Sequence, residues 1–283
     1  MRSSVRTRHR PKLETLRRGL SRIDVVLIAA AVALVSPLLV SLLSGVRESA
    51  HQQTCRGRIT NLSRALRDHH DAQGAFPTAA NWSVTTTQSL QLNASRQIAR
   101  ITLDNWAIQL LPYLGRNDLA GQFETDRAIG DEANRDARLA SPAEMVCPSD
   151  SWNRDDNPYL FRVSDELEPI GFARGNYAIS GGTQMSSAVA SNTKSPHGER
   201  AELWIREEPR TFQLWGNGVA GINKAFSYED FTNPQSTLIA IEELRAGVHP
   251  IDPRGVWALG QIGGSITWAN GVQTTVSLGT ASG

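Results

Sequence analysis

The stretch that decides the fold is VVLIAAAVALVSPLLVSLL, residues 25–43, a run of 19 residues without a charged side chain. Its hydroxyl residues are Ser36 and Ser41, and Pro37 is its helix breaker. Crossing a hydrocarbon core of about 30 Å takes about 20 apolar helical residues, so the run is long enough. A helix buried in a protein core normally keeps a polar face, and this run has none. We therefore predict a transmembrane helix over residues 20–45.

The residues before this run are strongly basic. Residues 1–24 contain eight Arg or Lys side chains and two acidic ones, a charge of +6. Because the whole chain carries +1, the remainder carries −5. Basic residues next to a membrane helix stay on the cytoplasmic side. The charge distribution predicts a single-pass inner-membrane protein with a cytoplasmic N-terminus, membrane lipid as a partner and no nucleic acid.

A cleavable secretory signal is the alternative interpretation, since it also pairs a basic head with an apolar run. The run here is longer than a usual signal core. It is followed by Ser44-Gly45-Val46 and then directly by Arg47-Glu48, which gives no clean small-residue cleavage site. We therefore favour a retained helix.

The helical pattern continues beyond the membrane run. Apolar residues recur at spacings of three and four, with basic residues between them, at Val46, Ala50, Ile59, Leu62, Ala65 and Leu66. This pattern predicts an amphipathic stalk helix over residues 46–74. Gly74 is a typical helix stop, and Pro77 lies just beyond it.

Residues 75–283 are predicted to form an extracytoplasmic domain. Residues 75–100 are interpreted as loop, and Trp106–Leu114 as a short helix or an extended piece. Short strand-like runs separated by Gly, Pro and Asn lie at Tyr159–Val163, Asn176–Ser180, Glu202–Ile205, Thr211–Trp215, Thr237–Ile241, Val256–Leu259 and Ser265–Trp268. We expect an α+β fold in which a long N-terminal helix, transmembrane plus stalk, packs on a mostly antiparallel β-sheet.

The N-terminal segment resembles a prepilin leader, since Arg17-Arg18-Gly19-Leu20 precedes Asp24 and the apolar run. The resemblance implies that a membrane peptidase removes residues 1–19 by cutting between Gly19 and Leu20, and that the new N-terminus is methylated. It also implies that Asp24, where prepilins usually have Glu, neutralises the amine of a neighbouring subunit. From the residues alone, Asp24 is equally well a hydrated interfacial acid near Arg22.

The resemblance extends along the rest of the chain, to a large family of pseudopilin-like proteins that is abundant in planctomycete bacteria. Members of that family carry a domain of unknown function. The stretches that resemble its motifs, in the same order, are Arg47-Glu48, Cys55, Asn61-Leu62, His70-Asp71, Gly74, Phe76-Pro77, Leu110–Leu114, Cys147-Pro148-Ser149, Asn176-Tyr177-Ala178 and Thr237–Glu242.

Cys55 and Cys147 are the two cysteines of the chain. Disulfide bonds persist outside the cytoplasm, where the topology places both residues. We favour a bridge between them, with two buried free thiols as the alternative.

Two further motifs suggest a metal site and a dinucleotide-binding loop, but both are incomplete. His69 and His70 are adjacent on a helix and point about 100° apart, so they do not readily share a metal ion. Gly216–Gly221 fits Gly-x-Gly-x-x-Gly, but the dinucleotide fingerprint requires a helix to begin there, and the following residues lack a helical period. We expect no metal, no cofactor and no identifiable small-molecule ligand.

The chain is thus expected to be a structural protein and not an enzyme. The first hypothesis is a pilin- or pseudopilin-like subunit of a type II secretion- or type IV pilus-like assembly, whose partners are other pilin-like subunits or further copies of itself. The second is a membrane-tethered extracytoplasmic binding module that does not polymerise. Trp152, Trp204, Trp215 and Trp257 would serve the second hypothesis if exposed, although we favour packing roles for them.

Overall fold

The structure is a computed structural model of the 283-residue chain. It describes residues 21–83, 94–182, 204–205, 212–231 and 239–268. Within these, the side chains of 37–43, 94–97, 204–205 and 212–213 are not described. The chain divides into two compact units, Met1–Ser49 and Ala50–Gly283. The predicted leader, residues 1–19, lies outside the described residues, as do Gly19 and Leu20.

The first helix, α1, runs over Arg22–Gln73 and contributes residues to both units. It ends at Gly74, whose φ of 75° is left-handed and therefore favourable for glycine. The Gly74 amide donates to the carbonyl of His70 at 2.7 Å. This is the glycine stop that the sequence predicts.

Within the part of the chain that is described, no helix carries an apolar stretch long enough to cross a membrane. The transmembrane helix predicted for residues 20–45 includes residues 37–43, whose side chains lie outside the described set.

The remaining helices all lie in the second unit and are short. The α-helices are α2 at Ala94–Ile101, α3 at Trp106–Leu110, α4 at Asn117–Ala120 and α5 at Arg135–Leu139. Single 3₁₀ turns occur at Pro112–Leu114, Glu132–Asn134, Ala143–Met145 and Tyr228–Asp230.

The strands of the second unit are also short and form small sheets. They are β1 Ala80–Trp82, β2 Thr102–Asn105, β3 Tyr159–Phe161, β4 Ile170–Phe172, β5 Tyr177–Ser180, β6 Trp204–Ile205, β7 Phe212–Gln213, β8 Ile241–Glu243 and β9 Ile266–Thr267. The pairs β1–β2, β3–β4 and β6–β7 are antiparallel. In the three-stranded sheet, β5 lies between an antiparallel β8 and a parallel β9.

The core of the second unit begins on α1. Cys55, Leu62, Ala65 and Leu66 are buried at spacings of seven, three and one, which places them on one face of the helix. They belong to the same buried cluster as residues of α3, β5 and the segment 256–259. This face of α1 is therefore part of the core of the second unit.

One strand predicted from the sequence is wrong. Val256–Leu259 forms no strand; Val256 makes a single bridge to Arg174, and turns follow. All four residues are fully buried, so the apolar run reflects burial on every side and not a pleated face. The Trp257 indole donates to the carbonyl of Ala140 at 2.8 Å, which fixes this segment without strand pairing.

Residues 75–100, interpreted as loop, contain β1 and part of α2. In β1, Ala80 and Trp82 are buried while Asn81 is half-buried, an alternation too short to recognise among Thr, Ser and Asn residues. The run Thr237–Ile241 overlaps β8 only at Ile241, and residues 232–238 lie outside the described residues.

Leu62→Ala tests whether the helix residues after Ser49 belong to the folding unit. Leu62 is fully buried, so truncation should lower the free energy of unfolding by about 2–5 kcal/mol. Urea unfolding of the full chain, followed by tryptophan fluorescence, measures this loss. Arg64→Ala, an exposed position on the same helix turn, is the control and should change it by less than about 0.5 kcal/mol. Equal effects would mean that this part of α1 does not pack on the core.

Candidate functional site

Asp24 lies at the N-terminus of α1, where it forms a reciprocal cap with Ser21. The Ser21 amide donates to Asp24 Oδ2 at 2.8 Å, and the Asp24 amide donates to Ser21 Oγ at 3.2 Å. This Ser-x-x-acid arrangement satisfies two amides that a helix start leaves without intrahelical partners. Asp24 therefore has a local role in starting the helix, in addition to any role between subunits. The Ser-x-x-Asp spacing typical of such a cap is visible in the sequence at Ser21 and Asp24.

Cys55 and Cys147 form a disulfide bond, with their Cα atoms 5.0 Å apart. The bond joins α1 to the segment that follows the 3₁₀ turn Ala143–Met145, across a sequence separation of 92 residues. Both cysteines are buried. In the loop-entropy model, closing a loop of this length stabilises the fold by about 4–5 kcal/mol as an upper figure.

The backbone on both sides of the disulfide is held by hydrogen bonds. The Tyr177 hydroxyl donates to the carbonyl of Cys55 at 3.3 Å, and the Cys147 amide donates to Asn176 Oδ1 at 2.8 Å. The Arg58 guanidinium donates to the carbonyl of Val146. Strand β5, the residue preceding it and α1 therefore position the two cysteines independently of the sulfur–sulfur bond.

Asp150 and Asn176 form the polar part of this site. Asn176 Nδ2 and the Ala246 amide each donate to Asp150 Oδ2 at 2.6 Å. The other carboxylate oxygen accepts from the Trp152 amide at 2.9 Å. Asn176 Nδ2 also donates to the Leu244 carbonyl at 3.1 Å. These bonds connect the segment after Cys147 to the residues that follow β8.

Glu243, the last residue of β8, is an exposed residue whose carboxyl group lies beside the disulfide. It pairs with Tyr177 in the antiparallel register, and a carboxylate oxygen lies within 4.8 Å of both sulfur atoms. Burial, and secondly the nearby charge of Asp150, raise the pKa of Glu243. Burial is the main cause that raises the pKa of Tyr177 to about 12, and the negative charge of Glu243 is the second cause. The site therefore disfavours additional negative charge.

The two adjacent histidines make separate contacts at the end of α1. His69 Nδ1 lies 2.9 Å from the Ala75 carbonyl. His70 Nε2 accepts from the Tyr228 amide at 3.3 Å, and the His70 ring packs 4.2 Å from the Tyr228 ring and 4.9 Å from that of Phe76. These residues anchor the helix end to the domain.

The glycine-rich stretch Gly216–Gly221 lacks the geometry of a dinucleotide-binding loop. Residues 219–227 form no helix. The Gly218 amide donates to the Gly181 carbonyl at 3.0 Å, and a Cβ on Gly218 would lie 2.1 Å from the Gly181 carbonyl carbon. Gly218 is therefore explained by a close approach between two backbone segments.

The tryptophans considered for a binding surface are placed mainly inside the domain. Trp215 and Trp257 are buried, and Trp152 is half-buried. The side chain of Trp204 lies outside the described residues.

Residues 44–281 match the sequence profile of a family described as "Protein of unknown function (DUF1559)". The chain belongs to this family. The match begins after the predicted membrane run and so does not include the residues of the predicted leader. No curated protein and no solved structure matches the chain. Both cysteines of the disulfide, together with Asp150, Asn176 and Glu243, lie in the DUF1559 region.

Sequence analysis did not identify Asp150, Asn176 or Glu243 as one cluster. Asn176 lies in a stretch that resembles a family motif, but 26 residues separate it from Asp150 and 68 from Leu244. Its side-chain Nδ2 donates to the carboxylate of Asp150 and to the backbone carbonyl of Leu244. No short-range spacing of residues predicts contacts between positions so far apart in the sequence. Only the pairing of β5 with β8 brings Glu243 to the disulfide.

Glu243→Gln should change the pH dependence of stability. Because the folded-state pKa of Glu243 is raised above its usual value of 4.5, wild type loses stability as pH rises through that folded-state pKa. The stability of the Gln variant relative to wild type should therefore increase from pH 4 to pH 7, as measured by urea unfolding across pH. Glu242→Gln, on the opposite face of the same strand, is the matched control. The same increase in both variants, or none in Glu243→Gln, would contradict the account.

Proposed function

We propose that this DUF1559 chain is a membrane-anchored pilin- or pseudopilin-like structural subunit of a type II secretion- or type IV pilus-like assembly. Its N-terminus would lie in the cytoplasm and residues 75–283 outside it. The basic head before the apolar run supports this orientation. The ordered set of motifs that resemble pseudopilin-like proteins supports the subunit role.

The observation that carries the proposal is the apolar surface at the start of α1. Val25, Val26, Leu27 and Ile28 are 54%, 66%, 62% and 54% exposed. Successive helical residues are rotated by about 100°, so these four cover most of the helix circumference. Burying a side chain of this size contributes about 1.5–3 kcal/mol, so leaving all four in water is unfavourable. Lipid or neighbouring apolar helices would cover such a surface, and a pilin-like subunit has both.

The role proposed for Asp24 must be separated from its role as a helix cap. After cleavage behind Gly19, the chain would begin at Leu20, immediately before Ser21. Asp24 would then cap its own helix through one carboxylate oxygen. Its other oxygen would accept a hydrogen bond from the N-terminal ammonium group of a neighbouring subunit. A charge left unpaired in lipid is unfavourable, so each helix start would seek a neighbour.

In-membrane crosslinking of four variants tests the proposal. Gly19→Ala should block maturation but leave the protein in the membrane. Asp24→Ala should be processed yet lose most crosslinked dimer, whereas Asp24→Glu should retain it. Ser21→Ala is the matched control, since it removes one capping bond and keeps the carboxylate, and it should crosslink like wild type.

The proposal fails if wild type remains unprocessed, or if Asp24→Ala crosslinks as well as wild type. An equal loss in Ser21→Ala and Asp24→Ala would mean that the cap, and not an intersubunit charge pair, explains the effect. An uncleaved monomer that binds a ligand would favour the tethered binding module.

A further inference from the structure

The sulfur atoms of Cys55 and Cys147 and a carboxylate oxygen of Glu243 all lie within 4.8 Å of one another. The three residues come from different parts of the fold: α1, the segment after the turn Ala143–Met145, and the end of β8. Two thiolates and a carboxylate are ligands that Zn²⁺ binds readily. The disulfide occupies both sulfur atoms, so such a site exists only after reduction.

The surroundings would keep these side chains together without the sulfur–sulfur bond. The Tyr177 hydroxyl donates a hydrogen bond to the Cys55 carbonyl, and the Cys147 amide donates one to the side chain of Asn176. Strand pairing holds Glu243 opposite Tyr177. Reduction removes none of these contacts. At a Zn–S distance of about 2.3 Å, tetrahedral coordination places two sulfurs about 3.8 Å apart, so the two cysteine side chains would rotate apart after reduction.

The charge balance also favours a cation. Two thiolates with the Glu243 carboxylate would carry −3, with the three ligand atoms within 4.8 Å of one another. Negative charges held this close together, with both cysteines buried and Glu243 exposed, repel one another. A divalent ion would neutralise most of this charge.

We propose that the reduced chain binds one Zn²⁺ through Cys55, Cys147 and Glu243, with water in the fourth position. A dithiol reductant supplies two electrons and two protons, the Cys55–Cys147 bond breaks, and the dithiol itself becomes a disulfide. Zinc binding then releases the two thiol protons to solvent. The connection between α1 and the segment at Cys147 is thereby kept in both oxidation states, by a covalent bond in one and by the metal in the other.

The test compares oxidised and reduced full-length protein in detergent micelles. Reduction uses a phosphine, because a dithiol would compete for the metal. Co²⁺ serves as a spectroscopic probe, and bound zinc is measured after gel filtration. The reduced protein should bind one zinc per chain and give a sulfur-to-cobalt charge-transfer band, and the oxidised protein should do neither. Zinc should also restore part of the stability to urea that reduction removes.

Two variants distinguish a three-ligand site from simple thiol binding. Glu243→Gln should keep both thiols yet weaken zinc binding by at least about tenfold, the loss typical even of residues that only support a metal ligand. Glu242→Gln, one residue away on the opposite face of β8, is the matched control and should bind like wild type. Cys55→Ser should abolish the charge-transfer band or reduce it to that of a single thiolate.

The proposal is overturned if reduced and oxidised protein take up the same amount of zinc. It is also overturned if Glu243→Gln and Glu242→Gln bind equally, because the carboxylate then does not take part. Both outcomes are independent of whether the protein assembles with other subunits.

Discussion

The disulfide between Cys55 and Cys147 is the constraint on which the rest of the domain depends. It fixes one face of α1, which also buries Leu62, Ala65 and Leu66, to a segment 92 residues away. Within the described residues, each sheet of this domain has two or three short strands, too few to be stable without packing. The helix supplies the surface against which they pack, and the covalent bond adds to the hydrogen bonds that hold it there.

This arrangement bears on the proposed function. A subunit anchored through its N-terminal helix has to transmit any pull on the anchor to its domain. In this chain one face of α1 after Ser49 belongs to the core of the second unit, and the disulfide lies near the start of that stretch. A pulling force on the helix would therefore be borne first by the disulfide bond and only then by the hydrogen bonds of the small sheets. Such a connection would suit the structural subunit proposed above.

The features predicted correctly from the sequence are those with a local signal. Gly74 ends α1 because a left-handed residue stops a helix, and Cys55 and Cys147 are the two cysteines available for a bridge. Val256–Leu259 was misjudged because an apolar run buried on all sides resembles a strand. The cluster of Asp150 and Glu243 could not be predicted, since it arises from strand pairing between distant residues.

The intact mass of the mature protein, purified without reductant from its native membrane, tests the central claim most directly. The account predicts a chain that begins at Leu20, carries one added methyl group and is lighter by the two hydrogens lost in the disulfide. A chain that begins at Met1 would contradict processing, and one that begins beyond Leu43 would show that the apolar run is a cleaved signal. Either result would remove the basis for a pilin-like subunit.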